Sequence, residues 1–240
     1  SMDIQDTTTG TQTATIGATG TVVVDAVAEY ANFEVGDRSY NEDNATSTEG
    51  SYTDGVPRFD IGFIASAADA DGSEEITSVS LTLGSLQTAE GVGIVWNGAE
   101  IHDGDVITVP AMVSDGAGGS VPGSVQMTVS LSVGEGGEIV LGLTSQDGLG
   151  TDQQILSLDL NGLQAQLPQH SDDDFTVSAS VTTSETNLTD SELTAANNQA
   201  THTQVFDVEV QAVADAATGL GTAGEGDVVV KEDSSITPTF

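Results

Sequence analysis

The sequence predicts an all-β fold built as an antiparallel β-sandwich with extra strands. Three observations predict it. The apolar runs are short, β-branched and alternate with Ser or Thr, as half-buried antiparallel strands do. Pairs of Asp or Asn with Gly punctuate them: Asp71-Gly72, Asn97-Gly98, Asp103-Gly104, Asp115-Gly116 and Asp147-Gly148. Such pairs accept the positive φ of tight turns. No long helical period appears.

Taken in order, Thr-Val-Val-Val-Asp-Ala-Val over 21–27 reads as a first strand. Ile-Thr-Ser-Val-Ser-Leu-Thr-Leu over 76–83 reads as a strand with a strict period of two. The pattern returns in 124–133, in 175–181 and in 205–210. About ten strands result, at the 8–12-residue turn spacing of sandwiches. A short helix or turn is expected near Asp190–Ala196. The segments 114–123 and 186–201 are polar and lack a strand pattern, so they are expected as loops able to host an insertion.

An internal repeat divides the chain. Residues 22–29 read Val-Val-Val-Asp-Ala-Val-Ala-Glu, and residues 208–215 read Val-Glu-Val-Gln-Ala-Val-Ala-Asp. Each is an alternating strand running into a small-residue linker that bears a carboxylate, Glu29 or Asp215. One full unit is therefore expected over 28–213. Residues 1–27 would hold a cloning remnant (Ser1-Met2, without fold information) and the terminal strand of a preceding unit. Residues 214–240 would hold a linker and an early strand, Val228–Asp233, of a following one. No signal peptide is visible.

The chain carries 38 Asp+Glu against 3 Lys+Arg, a formal net charge of -35. Arg38, Arg58 and Lys231 cannot neutralise a phosphate backbone, which excludes nucleic acid as a partner. An anionic membrane surface would repel the chain, and no apolar run reaches the length of a bilayer span. The absence of Cys excludes disulfides, thiolate metal sites and a thiol nucleophile. A compact fold at this charge repels itself. Bound cations and a salty medium both relieve that repulsion. The same repulsion predicts a monomer.

The acids cluster. The groups are Glu29 with Glu42 and Asp43; Asp69-Ala-Asp71-Gly-Ser-Glu74-Glu75; Asp103-Gly-Asp105; and Asp172-Asp-Asp174. Ca²⁺ takes six to eight oxygens in flexible geometry, and Asp-x-Asp beside Gly offers carboxylates and a carbonyl together. Mg²⁺ demands a stricter octahedron, and Zn²⁺ wants His or Cys. The 69–75 loop lacks the later ligands of an EF-hand, and its flanks are strands. The expected Ca²⁺ ligands are therefore Glu29, Glu42, Asp43, Asp69, Asp71, Glu74, Asp103, Asp105, Asp172, Asp174 and Asp215.

Ala68-Asp-Ala-Asp-Gly-Ser-Glu-Glu-Ile-Thr-Ser-Val-Ser-Leu81, Leu167-Pro-Gln-His-Ser-Asp-Asp-Asp-Phe-Thr-Val-Ser-Ala-Ser180 and Val208–Ala217 together resemble the extender modules of large bacterial RTX adhesins. Ala217 stands where that family often has Pro. The resemblance implies Ig-like or cadherin-like sandwiches, stabilised by Ca²⁺ and arrayed on the bacterial cell surface by type I secretion. There they space or present ligand-binding modules for adhesion and biofilm formation. The partners it implies are neighbouring domains of the same adhesin and an inserted or adjacent ligand-binding domain.

Two other functions compete. A sugar- or peptide-binding module would use Trp96-Asn97-Gly98 and His102-Asp103, but aromatic faces are few, and Trp96 with Tyr40 or Tyr52 is expected to be packed or to flank loops. An enzyme would need a pair such as His170-Ser171, but neighbours on an extended strand point to opposite faces. The chain is expected to be no enzyme. Asn44 and Asn187 open glycosylation sequons, which a bacterial chain matches by chance.

Overall fold

The computed structural model describes residues 2–6 and 12–16 as backbone, and 27–42, 57–68, 73–84, 92–146, 154–168, 171–185 and 198–213 in full. In chain order the strands are β1 (Met2–Asp6), β2 (Gln12–Ile16), β3 (Asn32–Phe33), β4 (Arg38–Asn41), β5 (Arg58–Asp60), β6 (Ile64–Ser66), β7 (Glu74–Gly84) and β8 (Gly93–Trp96). They continue with β9 (Ala99–Ile101), β10 (Val106–Ser114), β11 (Ser120–Val133), β12 (Ile139–Ser145), β13 (Ile155–Asp159), β14 (Leu163–Gln166), β15 (Phe175–Glu185) and β16 (Gln199–Gln211). Among the described residues there is no helix, and the all-β class read from the sequence holds. The helix expected near 190–196, the strand expected over 228–233, and the Asp71-Gly72 and Asp147-Gly148 turns lie outside the described residues, as does the strand expected over 21–27 except for Val27, which is in no strand.

β1 and β2 pair with each other, Met2 opposite Ile16. A ten-stranded sheet runs β3-β6-β13-β10-β11-β12-β7-β15-β16-β4, and a four-stranded sheet runs β5-β14-β8-β9. All neighbours are antiparallel except β16 and β4, which run parallel.

The edge strands β3 and β4 of the large sheet are joined only by Glu34–Asp37. Laid flat, ten strands would put those edges about 43 Å apart. The short connection spans at most about 18 Å. The sheet therefore curls until its edges approach, and the four-stranded sheet covers its concave side. One apolar cluster fills the space between, drawing Val79, Leu81, Leu141, Leu143, Met127, Val177 and Phe206 from one sheet and Phe59, Ile94, Leu163 and Ala165 from the other.

Alternation places these side chains, with one break. The strict period expected over 76–83 fails at Thr77–Ser78, where the register with β15 shifts between Thr182 and Thr183. A bulge absorbs one residue there. Ile76 and Val79 consequently both face inward.

The outer face of the large sheet is ordered by the same register. Thr203, Ser180, Ser80, Gly142 and Ser130 form a row across β16, β15, β7, β12 and β11. Thr201, Thr182, Ser78, Thr144 and Thr128 form the next row, and Val205, Ser178, Thr82, Val140 and Ser132 a third. Hydroxyls bridge along them: Ser180 to Thr203 at 2.8 Å and Thr182 to Thr201 at 2.9 Å. No charged side chain falls in these rows.

The turns behave as their sequences predict. Asn97 (φ 48°) and Gly98 (φ 86°) make the β8–β9 hairpin, and Gly104 and Gly116 also have positive φ. The loop expected over 114–123 is shorter than its composition implies. Ser120–Gly123 belong to β11 and pair with Ala111–Ser114. Their β10 partners Ala111, Val113 and Ser114 are buried, but Ser120–Ser124 are all exposed. No buried face imposes alternation on them, and the strand is invisible to a pattern search. Of the other expected loop, Glu185 ends β15 and Gln199 opens β16, while 186–197 lie outside the described residues.

Candidate functional site

The sandwich has two poles. The ends of β15 and the starts of β7 and β16 meet at the pole where residues 27–30 join the body. The starts of β15 and the ends of β4 and β16 meet at the pole where residues 211–213 leave it. We call these the N-terminal and C-terminal poles.

Three buried carboxylates mark them. Glu42 is 1% exposed, Glu74 1% and Glu185 3%. Each continues the inward register of its strand to or past the strand's end. Tyr40 faces in and so does Glu42; Ile76 faces in and so does Glu74; Val181 and Thr183 face in and so does Glu185. Strand geometry alone thus forces acids into the mouths of an apolar core.

At the N-terminal pole, Glu74 and Glu185 are register partners on β7 and β15. The Glu29 N–H donates to Glu74 Oε1, and the Thr183 hydroxyl donates to the Glu29 carbonyl. Glu29 is itself exposed, so it engages this pole through its backbone. Asn198, whose carbonyl accepts from the Glu185 N–H at 2.8 Å, buries an Oδ1 that has no hydrogen-bond partner among the described residues. Asp69 and Asp71, just upstream of Glu74, lie outside the described residues.

At the C-terminal pole, Glu42 Oε1 accepts the Val213 N–H at 2.5 Å, and the Glu42 N–H donates to the Gln211 carbonyl at 3.0 Å. Its other oxygen, Oε2, is buried and has no hydrogen-bond partner among the described residues. Asp174 Oδ1 accepts the Val210 N–H at 2.7 Å from the β15 side. Two expected ligands thereby grip one departing strand. A shallow recess of about 260 Å³ beside it is lined by Asp174, Asp207 and Glu209. Asp43 and Asp215, adjacent in sequence, lie outside the described residues. Asp172 is exposed near this pole.

Asp103 and Asp105 lie elsewhere, in the β9–β10 turn. Asp103 Oδ1 accepts the Leu131 N–H at 3.0 Å, and Asp105 Oδ2 accepts the His102 N–H at 2.7 Å. Each secures local backbone. Among the described residues no group of three or more His or acidic side chains converges as a metal cage. The described carboxylates gather only in part; Asp43, Asp69, Asp71 and Asp215 lie outside the described residues.

A buried oxygen of an ionised group without a partner is costly, and a cation is one group that satisfies it. The donor set is carboxylates and carbonyls, which suits a hard ion such as Ca²⁺. At the C-terminal pole Glu42 and Asp174 would hold it, and at the N-terminal pole Glu74 and Glu185.

Sequence reasoning missed Glu185, Thr183 and Arg38. Inward parity counted from Phe175 along β15 finds the first two. Arg38 had no such signal. Its guanidinium donates to the carbonyls of Asp60 and of Gly62 (2.7 Å for the latter) and sits 5.2 Å from the Phe206 ring centroid. One of only three cations thus serves carbonyls rather than acids.

The alternative sites fare differently. Trp96 is 8% exposed and Tyr40 3%, so neither offers a face to a sugar. His102 is exposed, with Glu100 at 3.9 Å and Asp105 at 3.6 Å. Ser171 Oγ donates to Asp173 Oδ2 at 3.2 Å, while His170, Tyr52, Asn44 and Asn187 lie outside the described residues.

No protein-family model matches the chain, and no curated protein matches it. Among solved structures, one described as "AvmM Catalyzes Macrocyclization in Alchivemycin A Biosynthesis" is similar at 9% identity and a TM-score of 0.32, over 79% of this chain and 90% of that one. A likeness this low carries no argument about fold or activity.

Proposed function

We propose that the chain is a Ca²⁺-stabilised structural module of an extracellular bacterial adhesin, similar to RTX adhesin extenders. It is read as non-catalytic, spacing or presenting ligand-binding domains on the cell surface. The observation that carries the reading is the buried Oε2 of Glu42, without a hydrogen-bond partner among the described residues, at the pole where residues 211–213 leave the body. Buried acids at the opposite pole support it. A cation held by Glu42 and Asp174 would fix residues 210–213, and one held by Glu74 and Glu185 would fix residues 27–30. Either would set the direction of the linker to a neighbouring domain. Extracellular modules work with Ca²⁺ affinities of about 10⁻⁴–10⁻³ M.

The test is thermal unfolding in Ca²⁺ and in EGTA, followed by the fluorescence of Trp96. One site filled at about 100 times its Kd adds about 2.7 kcal/mol. That raises Tm by about 5–11 °C for a chain of this size. Equal Tm in the two conditions overturns the reading.

A further inference from the structure

The first and last described segments of the body are joined along one seam. The Ala31 carbonyl meets His202 Nδ1 at 2.7 Å, and the Phe33 carbonyl accepts from Gln204 Nε2 at 2.6 Å. The Val35 N–H donates to Gln204 Oε1 at 3.4 Å, and Asp37 Oδ1 accepts the Asp207 N–H at 3.0 Å. The ladder then takes over, from Arg38 opposite Val208 to Asn41 opposite Gln211. Glu42 closes it on Gln211 and Val213. Partners stay 169 to 171 residues apart over the side-chain contacts from Ala31 to Glu42, so the two segments run parallel and in step.

That geometry has a mechanical consequence. Residues 27–30 join the body at one pole and residues 211–213 leave it at the other. Tension through these ends draws the 31–42 segment towards the N-terminal pole and the 202–213 segment towards the C-terminal pole. The two slide past each other along their length. Hydrogen bonds across the seam lie transverse to the pull, so they carry it together rather than one after another. Arg38 anchors the middle of the seam to the 60–62 carbonyls and to Phe206, on both layers of the sandwich.

We propose that this seam is a force-bearing clasp, a further function of the fold that makes the module resist tension applied through its ends. The proposal deepens the tethering role above. It needs no cation.

The test is single-molecule force spectroscopy on the full chain, which has no native Cys to compete with attachment. Handles at Val27→Cys and Ala212→Cys load the seam in shear. Handles at Val27→Cys and Gln199→Cys attach at one pole and peel it. Because forced unfolding is governed by the unfolding rate, the shear pair should rupture at no less than about twice the force of the peel pair at equal loading rate. Gln204→Ala, which removes two bridges, should lower the shear force; Asp37→Ala, at an exposed position, should do the same and serves if Gln204→Ala does not fold. Equal forces in the two geometries, or a shear force unmoved by the folded variant, overturn the proposal. Each measurement is made in Ca²⁺ and in EGTA. A shear-to-peel ratio that persists in EGTA upholds the clasp even if Ca²⁺ leaves Tm unchanged. A ratio of one in both overturns the clasp without touching the Ca²⁺ reading.

Discussion

Replacing Glu42 by Gln separates a cation ligand from a merely buried acid. In the native chain one carboxylate oxygen holds the Val213 N–H and the other is buried without a hydrogen-bond partner among the described residues. Leaving such an oxygen unsatisfied costs about 1–3 kcal/mol, and more when charged. Gln keeps the oxygen that serves Val213 and removes the charge. Its amide brings donors of its own, which offset part of the gain. The net effect without Ca²⁺ is a stabilisation of about 1 kcal/mol, a rise in Tm of about 2–4 °C. With Ca²⁺ present, the variant forfeits the linkage energy of one site, about 2.7 kcal/mol at 100 times Kd. It should then melt below the native chain by about 3–7 °C. The sign of the difference inverts between EGTA and Ca²⁺. Trp96, the single tryptophan, is 8% exposed and reports the melt. If Glu42→Gln displaces Tm equally in both conditions, Glu42 holds no cation.

Two other substitutions test the frame around the poles. A Cβ added at Gly62 would overlap the Leu160 carbonyl oxygen and crowd Asn161 Cα, both backbone atoms that cannot swing aside. Gly62→Ala should lower stability by about 1–3 kcal/mol, read from the urea midpoint. Asp115 accepts the Ala117 and Gly119 N–H groups at 2.8 Å each. Those bonds hold its carboxyl below the ordinary value of 3.8. The contribution is complete above 3.8 and is lost as pH falls through the lower folded value. The Tm difference between the native chain and Asp115→Asn should therefore be constant above about pH 5 and shrink as pH falls below 3.8. A difference that is flat down to pH 2 contradicts the bonds to Ala117 and Gly119.

How much of this was legible depended on burial. The strands read from 124–133, 175–181 and 205–210 lie within β11, β15 and β16, because each has a face pressed on the core. The short strands β5, β6 and β9 have too few residues to show a period. The exposed start of β11 has no buried face to impose one. The acids were legible as clusters in sequence, but the fold does not sort them by cluster. Glu42 and Asp174 come from different clusters, yet each accepts an N–H from the end of one strand, Val213 and Val210. Asp103 and Asp105 share a cluster, yet each secures its own stretch of backbone. Parity decides which acids go inside. Glu42 and Glu74 are interior because they sit an even number of residues from Tyr40 and Ile76, and Glu185 follows the same count on β15. No composition argument could have selected Glu185. The Arg38 clamp depends on the curl that brings β4 over the 60–62 carbonyls, and that proximity has no local sequence signal.

The uncharged rows of hydroxyls on the outer face shape how copies of the molecule can crowd. The chain carries -35, yet this broad flank carries none of it. Among the described residues, acids such as Asp115, Glu135 and Glu138 stand on hairpin ends, and others stand around the poles. To a neighbour, these rows are an electrically quiet face. Charge on the hairpin ends is felt over about 8 Å at physiological ionic strength. Molecules brought together across these rows avoid the charge of those acids, whereas approach onto the hairpin ends meets it. Among the described residues the charge pattern thus favours contact across these rows over contact at the hairpin ends, through where acids are absent.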